Sequence, residues 1–285
     1  MSKEFIFIVG QHRTGSTLLK NILDAHSGIN MAFDEMNLFE PFRKNTLDRF
    51  VEEQKLNARE VVGLIKGQKI YGTFWKDFEE SRIDFDDLER CLQKSEIINS
   101  KTILKAILNL LRKKKGSIYS GVKYPVHARK VDFLISHFPD AKIIFLTRNP
   151  SAIIASKLND EATRQRKNKS WLHRFIIHYF TILYFAIEYI ISINAYEKFK
   201  DHVKLIQYEH LVTEQSVAVR ALCKWLEVEF DVTMLNVSGK KSSHDIQEKT
   251  KVHGSSLDRY KKILNIWDRA LIWFLTAKHF KKLQA

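Results

Sequence analysis

The residues best suited to chemistry lie near the start of the chain, where an apolar run meets a glycine-rich loop. Residues Phe5–Val9 lead into Gly10-x-x-x-x-Gly15-Ser16-Thr17, and an apolar helical pattern follows. This is the frame of a phosphate-binding loop, G-x-x-x-x-G-K-[ST], except that Ser16 replaces the lysine. Backbone N–H groups can still hold a phosphate there, but the ammonium that spans the β- and γ-phosphates of ATP is missing. The loop therefore predicts a phosphorylated donor other than ATP.

A second strand, turn and helix also end in residues suited to an anion. The apolar strand Lys142–Thr147 runs into Arg148, and Ser156 lies two turns into the helix that follows. Open α/β sheets bind ligands at the carboxyl ends of their strands, so an arginine fork and a hydroxyl could hold a second phosphate here. The alternative is a local salt bridge by Arg148 and a packing role for Ser156. The presence of the first loop favours the phosphate site.

The elements that must position these residues alternate between short apolar strands and helices. Strands are predicted at Phe5–Val9, Tyr119–Lys123, Lys142–Thr147 and His202–Tyr208. Helices are predicted at Ser16–His26, at Lys101–Lys115 with Ser100 as the cap, from about His127 to His137, after Asn149 with Pro150 at its first position, and near 171–198, 214–226 and 265–281. This alternation predicts an α/β fold of the P-loop type, with three layers and a central parallel sheet covered by helices on both faces.

Length and charge narrow the class of protein further. The 285 residues predict one domain, 1–285, with a helical insertion at about 36–118 between the first two core strands. The net charge of +14 suits a polyanionic ligand, an anionic membrane or nucleic acid, although a solvated basic surface is the plainer interpretation. Cys91 and Cys223 show neither a disulfide framework nor metal-ligand spacing, which predicts reduced thiols, a cytoplasmic protein and no metal.

The apolar stretch Phe175–Ala195 is about long enough to span a bilayer. His178, Glu188 and Asn194 interrupt it. A buried core helix is the favoured interpretation, and a helix that contacts a membrane is the alternative. With the basic charge, this leaves a peripheral membrane role open.

Several motifs together resemble those of the sulfotransferases that use 3′-phosphoadenosine 5′-phosphosulfate (PAPS). Arg13-Thr-Gly-Ser-Thr-Leu-Leu19 resembles their 5′-phosphosulfate loop, and Arg148-Asn-Pro through Ser156 resembles their 3′-phosphate segment. Leu23-Asp-Ala-His26 and Phe138-Pro-Asp-Ala-Lys142 are similar to the tyrosylprotein-like and bacterial branch, and Tyr208-Glu-His-Leu211 resembles the family's Y-E-x-L element. The resemblance covers most of residues 1–226, in the correct order.

The resemblance implies roles for individual residues. It implies that Arg13 stabilises charge at the transferring sulfuryl group, and that Lys123 aids departure of the 3′,5′-bisphosphate, as a fixed cation would. A solvent-exposed lysine at a strand end is the alternative for Lys123. Tyr208 would contact the nucleotide or, equally, be a core aromatic residue. The donor-binding set that the resemblance implies is Arg13, Thr14, Gly15, Ser16, Thr17, Arg148, Ser156, Tyr208 and Arg259.

The general base has more than one candidate. Cytosolic relatives place a histidine two residues after the lysine, where this chain has Pro125; His127 lies two positions further on. The tyrosylprotein-like branch uses a glutamate after the first helix, and here Glu35 is favoured with Asp34 as the alternative. In a late basic segment, Ser243 resembles a catalytic serine, although a basic loop without such a role is the alternative.

Two other functions compete with sulfuryl transfer from PAPS to a hydroxyl or amine. A P-loop kinase or NTPase is disfavoured by the missing lysine and by the lack of a Walker-B element. A non-catalytic basic binding protein is favoured by the tracts Arg112–Lys115 and Arg164–Lys169, but no nucleic-acid-binding motif is recognisable. The expected partner is therefore a small-molecule, lipid or glycan acceptor, with a pocket shaped by residues 36–118 and 158–200.

Overall fold

A parallel sheet organises the molecule. The structure, a computed structural model, describes residues 4–33, 46–67, 83–160, 170–237 and 257–283, except for the side chains of 125–127. Within these residues the strands are β1 (Phe5–Gly10), β2 (Ile29–Met31), β3 (Tyr119–Tyr124), β4 (Lys142–Thr147) and β5 (Val203–Gln207). Their order in the sheet is β2-β3-β1-β4-β5, with every neighbouring pair parallel. From β1 the chain forms β2 and β3 on one side of the sheet and then crosses to form β4 and β5 on the other side, so a ligand-binding crevice is expected at the carboxyl end of β1.

Helices connect the strands and cover the sheet. They are α1 (Ser16–Ala25), α2 (Leu47–Gln54), α3 (Ala58–Lys66), α4 (Phe85–Gln93), α5 (Ser100–Lys115), α6 (Val131–His137), α7 (Pro150–Leu158), α8 (Trp171–Phe199), α9 (Tyr208–Thr213), α10 (Gln215–Leu226), α11 (Tyr260–Ile263) and α12 (Ile266–Lys282). Short 3-10 turns occupy Pro125–Lys130 and Val232–Leu235.

Alternate residues of the strands enter two separate cores. Phe7, Val122 and Phe145 pack with side chains of α2 to α6 on one face of the sheet. Ile8 and Ile144 pack with α1 and α10 on the other face. Because successive strand residues point to opposite faces, an all-apolar strand such as β1 requires helices on both sides. The molecule is therefore an α/β fold of the P-loop type with three layers, as the sequence predicts.

Most predicted boundaries agree with the structure to within one or two residues. Asn149 caps α7, with Pro150 at its first position, as predicted. The cap of α5 is Asn99, not Ser100, because Asn99 and Thr102 exchange hydrogen bonds in a capping box. The helix predicted from His127 begins as a 3-10 turn and becomes α-helical at Val131. The three-residue strand β2 is an addition to the predicted strands.

The described part of the chain between β2 and β3 is helical. It holds α2 to α5, whose buried residues join the core on one face of the sheet. This agrees in character with the helical insertion predicted at about 36–118. The extent of the insertion, and the assignment of 1–285 to one domain, remain predictions.

Helix α8 differs from the buried core helix that the sequence favours. Among the described residues it is the one helix long and apolar enough to cross a bilayer. Yet only 28% of its most apolar 18-residue segment is buried. Ile182, Ala186 and Ile193 pack inward, whereas Phe180 and Ile187 are exposed. The prediction is therefore wrong for one side of α8, which packs on the domain through the other side.

Candidate functional site

The first loop joins β1 to α1 and depends on two glycines. Gly10 has φ 150°, and a Cβ there would lie 2.2 Å from the carbonyl oxygen of Leu146 in β4. Gly15 has φ 95°, and a Cβ there would lie 2.3 Å from Cδ2 of the Tyr208 ring. Any larger residue would clash at either position, and the positive φ of Gly15 is itself unfavourable for L side chains. The glycines thus let the loop pass close to β4 and to Tyr208.

The residues between these glycines form a tight turn. Arg13 has φ 70°, a left-handed conformation uncommon for a residue with a side chain. The hydroxyl of Thr14 donates a hydrogen bond to the carbonyl oxygen of Gln11 (2.8 Å) and is buried. Gly15 is the N-cap of α1, and no side chain caps this helix. The first N–H groups of α1 are therefore not taken up by a capping side chain, and the positive end of the helix dipole lies at the loop.

The second loop joins β4 to α7 and is held by side chains. The Asn149 side chain accepts a hydrogen bond from the N–H of Ser151 (2.9 Å). The Glu209 carboxylate accepts one from the N–H of Asn149 (2.9 Å). These contacts fix the turn that carries Arg148 away from the end of β4, and they tie it to the start of α9.

Direct contacts connect the two loops. The Nε of Arg13 donates a hydrogen bond to Oγ of Ser156 (2.9 Å), and Nη1 of Arg148 donates one to the carbonyl oxygen of Arg13 (3.2 Å). The guanidinium carbon of Arg148 lies 4.2 Å from the ring centroid of Tyr208, a cation–π distance. Tyr208 therefore contacts both Arg148 and Gly15, and it lies between the two loops.

The region is strongly basic. Lys123 is only 3% exposed and pairs with Ile8 near the carboxyl end of the sheet, on the face covered by α1. Burial lowers the pKa of Arg148; Tyr208 and Glu209 oppose this effect, and Arg13 adds to it. An arginine stays protonated across the physiological range even so. Three cationic side chains near uncapped backbone donors suit a ligand with several negative charges.

The sequence-predicted site residues divide into three groups. The structure brings Arg13, Gly15, Arg148, Ser156 and Tyr208 together, and Thr14, Ser16, Thr17 and Lys123 lie in the same loop, its helix and the adjacent strand. Arg259 is exposed at the start of α11, and no contact among the described residues joins it to either loop. Glu35, Asp34, Ser243 and the side chain of His127 lie outside the described residues.

Three residues of the site region are not singled out by the sequence motifs. The Gln11 amide donates to the carbonyl oxygen of Phe185 in α8 (3.1 Å), which ties the first loop to that helix. Glu209 holds the second loop through the N–H of Asn149. Its position inside the Y-E-x-L element is the feature of the sequence that could have identified it. Lys20 is buried, and its ammonium lies 5.5 Å from the ring centroid of Phe33. The sequence indicates Lys20 only through helical spacing, because a residue one turn after Ser16 lies on the same side of α1.

Comparison with solved structures identifies several proteins of the same fold. The sulfotransferase domain from the curacin biosynthetic pathway superposes with a TM-score of 0.60 at 20% identity, over 96% of this chain and 97% of that one. The sulfotransferase domain of a Synechococcus olefin synthase gives 0.58 at 18% identity, over 96% and 94%. A mouse sulfotransferase in complex with PAP gives 0.54 at 10% identity, over 99% and 86%. Among curated proteins, no match was found.

A family comparison assigns the chain. The model described as Sulfotransferase family matches residues 5–232, a span that includes both loops and the whole sheet. This match decides against a P-loop kinase or NTPase and against a non-catalytic basic binding protein. The chain therefore belongs to the sulfotransferase family and is an enzyme that transfers sulfuryl groups.

Proposed function

We propose that this enzyme takes its sulfuryl group from PAPS and transfers it to a hydroxyl or amine acceptor by in-line displacement. The observation that carries the proposal is the junction of the two loops, where Arg13 contacts Ser156 and Arg148 contacts the backbone of Arg13. A single ligand with a phosphate at each end of a ribose would meet both loops at once. The mouse relative bound to PAP supports this choice of donor.

The described residues fit such a donor. The first loop and the uncapped start of α1 would hold the 5′-phosphosulfate through backbone N–H groups and the hydroxyls of Ser16 and Thr17. Arg148 and Ser156 would hold the 3′-phosphate, because a guanidinium fork and a hydroxyl suit a dianion. Tyr208, which already contacts Arg148, would then lie beside the nucleotide. Arg259 stays a further predicted donor contact.

Catalysis would depend on positioning and on fixed charge. Lys123 and Arg13 would stabilise negative charge that develops on the leaving bisphosphate and on the transferring group. A carboxylate from Glu35, or from Asp34, would remove the acceptor's proton, with His127 as a third candidate. Ser243 would assist at the sulfuryl group. PAPS supplies the activated sulfuryl group, and these side chains orient it for attack.

We further propose a small-molecule acceptor, including a lipid or a glycan, and a cytoplasmic location. The free thiols of Cys91 and Cys223 fit a reducing compartment. Nucleic acid is not expected as a partner. Among the described residues, no group of three or more His, Cys, Asp or Glu could hold a metal ion, and the proposed chemistry uses none.

Calorimetry with PAP, the desulfated product, tests donor binding. Wild type should bind PAP, and Arg13→Ala should weaken binding about 10- to 100-fold, since a charge-assisted hydrogen bond contributes about 1.5–3 kcal/mol. Arg90→Ala is the matched control, because Arg90 is an exposed arginine on α4 whose ion pair is with Asp87. Wild-type protein that binds no PAP would overturn the proposal.

Transfer of radiolabelled sulfate from PAPS into a cell extract tests catalysis. Lys123→Met should bind PAP within a few-fold of wild type but transfer label at least about 100-fold more slowly, as when a transition-state donor is removed. The methionine keeps most of the buried volume. Equal label transfer by wild type, Arg13→Ala and Lys123→Met would refute the assigned roles.

A further inference from the structure

Helix α8 exposes a continuous apolar stripe. Leu172, Ile176, Phe180, Leu183, Ile187 and Ile191 recur every three or four residues and are all exposed. At 1.5 Å per residue the stripe is about 30 Å long. The opposite side of α8 packs on the domain through Ile182, Ala186 and Ile193. An amphipathic surface helix has polar residues on its outer side, so this outer side is unusual.

The neighbouring helix α12 has the same property. Its exposed side carries Ile266, Trp267, Trp273 and Phe274, and Phe274 is 84% exposed. With Trp171 at the start of α8, three of the four tryptophans that the structure describes are at least half exposed. Scattered apolar residues on a surface are ordinary, but an apolar stripe along a whole helix, with exposed aromatic residues on the helix packed beside it, marks an interaction surface.

The two helices are joined to each other and to the rest of the domain. His178 of α8 and Asp268 of α12 are 2.9 Å apart, and Asp268 is buried. Arg129 of the 3-10 turn forms an ion pair with Glu188 of α8. Helix α8 could not cross a bilayer without breaking these contacts. An apolar outer side on a helix whose inner side is packed suits an orientation in the plane of an interface.

The charges on these helices favour an anionic partner. Both helices are described in full, and they carry six Lys or Arg residues against three acidic ones. None of the three acids is exposed, whereas Arg174, Lys278, Lys281 and Lys282 are. The whole chain has a net charge of +14. Two copies of so basic a chain would repel each other at this surface, while an anionic lipid surface would attract it.

We propose that the exposed sides of α8 and α12 dock in the plane of an anionic lipid bilayer, with tryptophan and phenylalanine in the interface and lysines at the headgroups. Tryptophan is enriched at this depth of a membrane. The donor loops lie behind these helices, one helix diameter (~10 Å) from their exposed sides, because Gln11 contacts the backbone of α8 and α7 packs against the inner sides of α8 and α12. Docking would thus place the proposed transfer site close to the bilayer. The proposal does not depend on the identity of the donor.

Vesicle flotation tests the docking. The full chain should float with vesicles of phosphatidylcholine containing a quarter of phosphatidylglycerol, and much less with phosphatidylcholine alone. Raising the salt from about 0.1 M to about 1 M shortens the Debye length from about 10 Å to about 3 Å and should reduce binding. Failure of the wild type to float with the anionic vesicles would overturn the proposal.

A double variant locates the surface. Phe180→Ser/Phe274→Ser should lower the bound fraction at least about 10-fold, since it removes two large apolar side chains from the surface that would insert. Val217→Ser/Val232→Ser removes two exposed apolar residues elsewhere and should float like wild type. Flotation of the aromatic variant equal to that of wild type would overturn the proposal.

Two further measurements distinguish lipid docking from donor binding and from self-association. Calorimetry with PAP should give the same affinity for all three proteins, which shows that they are folded and that the donor site is independent of docking. If PAP fails to bind while flotation succeeds, only the proposed donor is refuted. Sedimentation velocity should show a monomer; a dimer that the aromatic variant dissociates would assign the surface to a second copy and overturn lipid docking.

Discussion

The two loops at the end of the sheet differ in the groups that they offer to an anion. The first loop leaves the start of α1 without a side-chain cap and relies on Gly10 and Gly15 to bring the backbone into place. The second loop covers its own backbone donors, because Asn149 caps α7 and Glu209 binds the N–H of Asn149. An anion at the first loop would meet backbone N–H groups, whereas at the second loop it would meet side chains.

This difference predicts how each loop responds to substitution. A site made of backbone is sensitive to anything that moves the chain, and its side chains can vary. When one side chain is removed from a site made of side chains, the affinity should fall only by the contribution of that side chain. Changes in backbone conformation should therefore have the largest effects at the first loop, and changes in charge should be the decisive ones at the second loop.

Gly15→Ala should have the largest effect. Its Cβ would clash with the Tyr208 ring and its φ of 95° is strained for alanine, so the loop must shift. PAP affinity should fall at least about 100-fold in calorimetry, and the melting temperature should fall as well. Gly63→Ala on α3 is the control, because a Cβ there meets nothing within 4 Å. That change should leave PAP binding unaltered and raise stability by about 0.5–1 kcal/mol.

Arg148→Ala should have an intermediate and selective effect. PAP affinity should fall about 10- to 100-fold through loss of the 3′-phosphate contact, whereas adenosine 5′-monophosphate should bind within about 3-fold of its wild-type affinity. Arg148→Lys should recover only part of the loss, since an ammonium lacks the planar fork. Equal losses for both nucleotides in a titration series would show that Arg148 does not distinguish the two ends of the ligand.

Asn149→Ala should have the smallest effect on binding. The substitution removes the cap of α7 and should lower the free energy of unfolding by about 1 kcal/mol in chemical denaturation. PAP affinity should fall less than about 10-fold, because Arg148 and Ser156 remain. A loss as large as that of Arg148→Ala would mean that the capped backbone itself binds the phosphate.

The sequence predicts the fold well where the signals are local. The runs at β1, β3 and β4 are apolar and end at turns, and Asn149-Pro150 is a local start signal for α7. The strand β2 has only three residues, too few for a periodic pattern to identify it. Asn99 competes with Ser100 as a cap, and the capping box that decides between them depends on contacts with Thr102. The order of residues alone does not show which of two adjacent residues caps the helix.

The site is predicted less completely than the fold. Arg13, Arg148 and Ser156 carry recognisable motifs, so their proximity could be inferred from strand ends. The contacts of Gln11 with α8 and of Glu209 with Asn149 depend on the order of strands and on helix packing, which one sequence does not contain. The prediction for the exposed side of α8 is wrong for a related reason. Composition measures how apolar a helix is, but not which side of it packs.

The position of β1 in the sheet has a consequence for biosynthesis. Among the strands of this sheet β1 is synthesised before the others, yet Phe5 pairs with Ser120 and Ile6 with Lys142, more than 100 residues downstream. During synthesis the hydrophobic segment of β1 therefore leaves the ribosome and stays unpaired until β3 and β4 have also emerged. Long-range pairing of this kind slows folding and exposes aggregation-prone surface. Recombinant yield should therefore depend on translation speed and on chaperones, even if the folded enzyme has a high melting temperature.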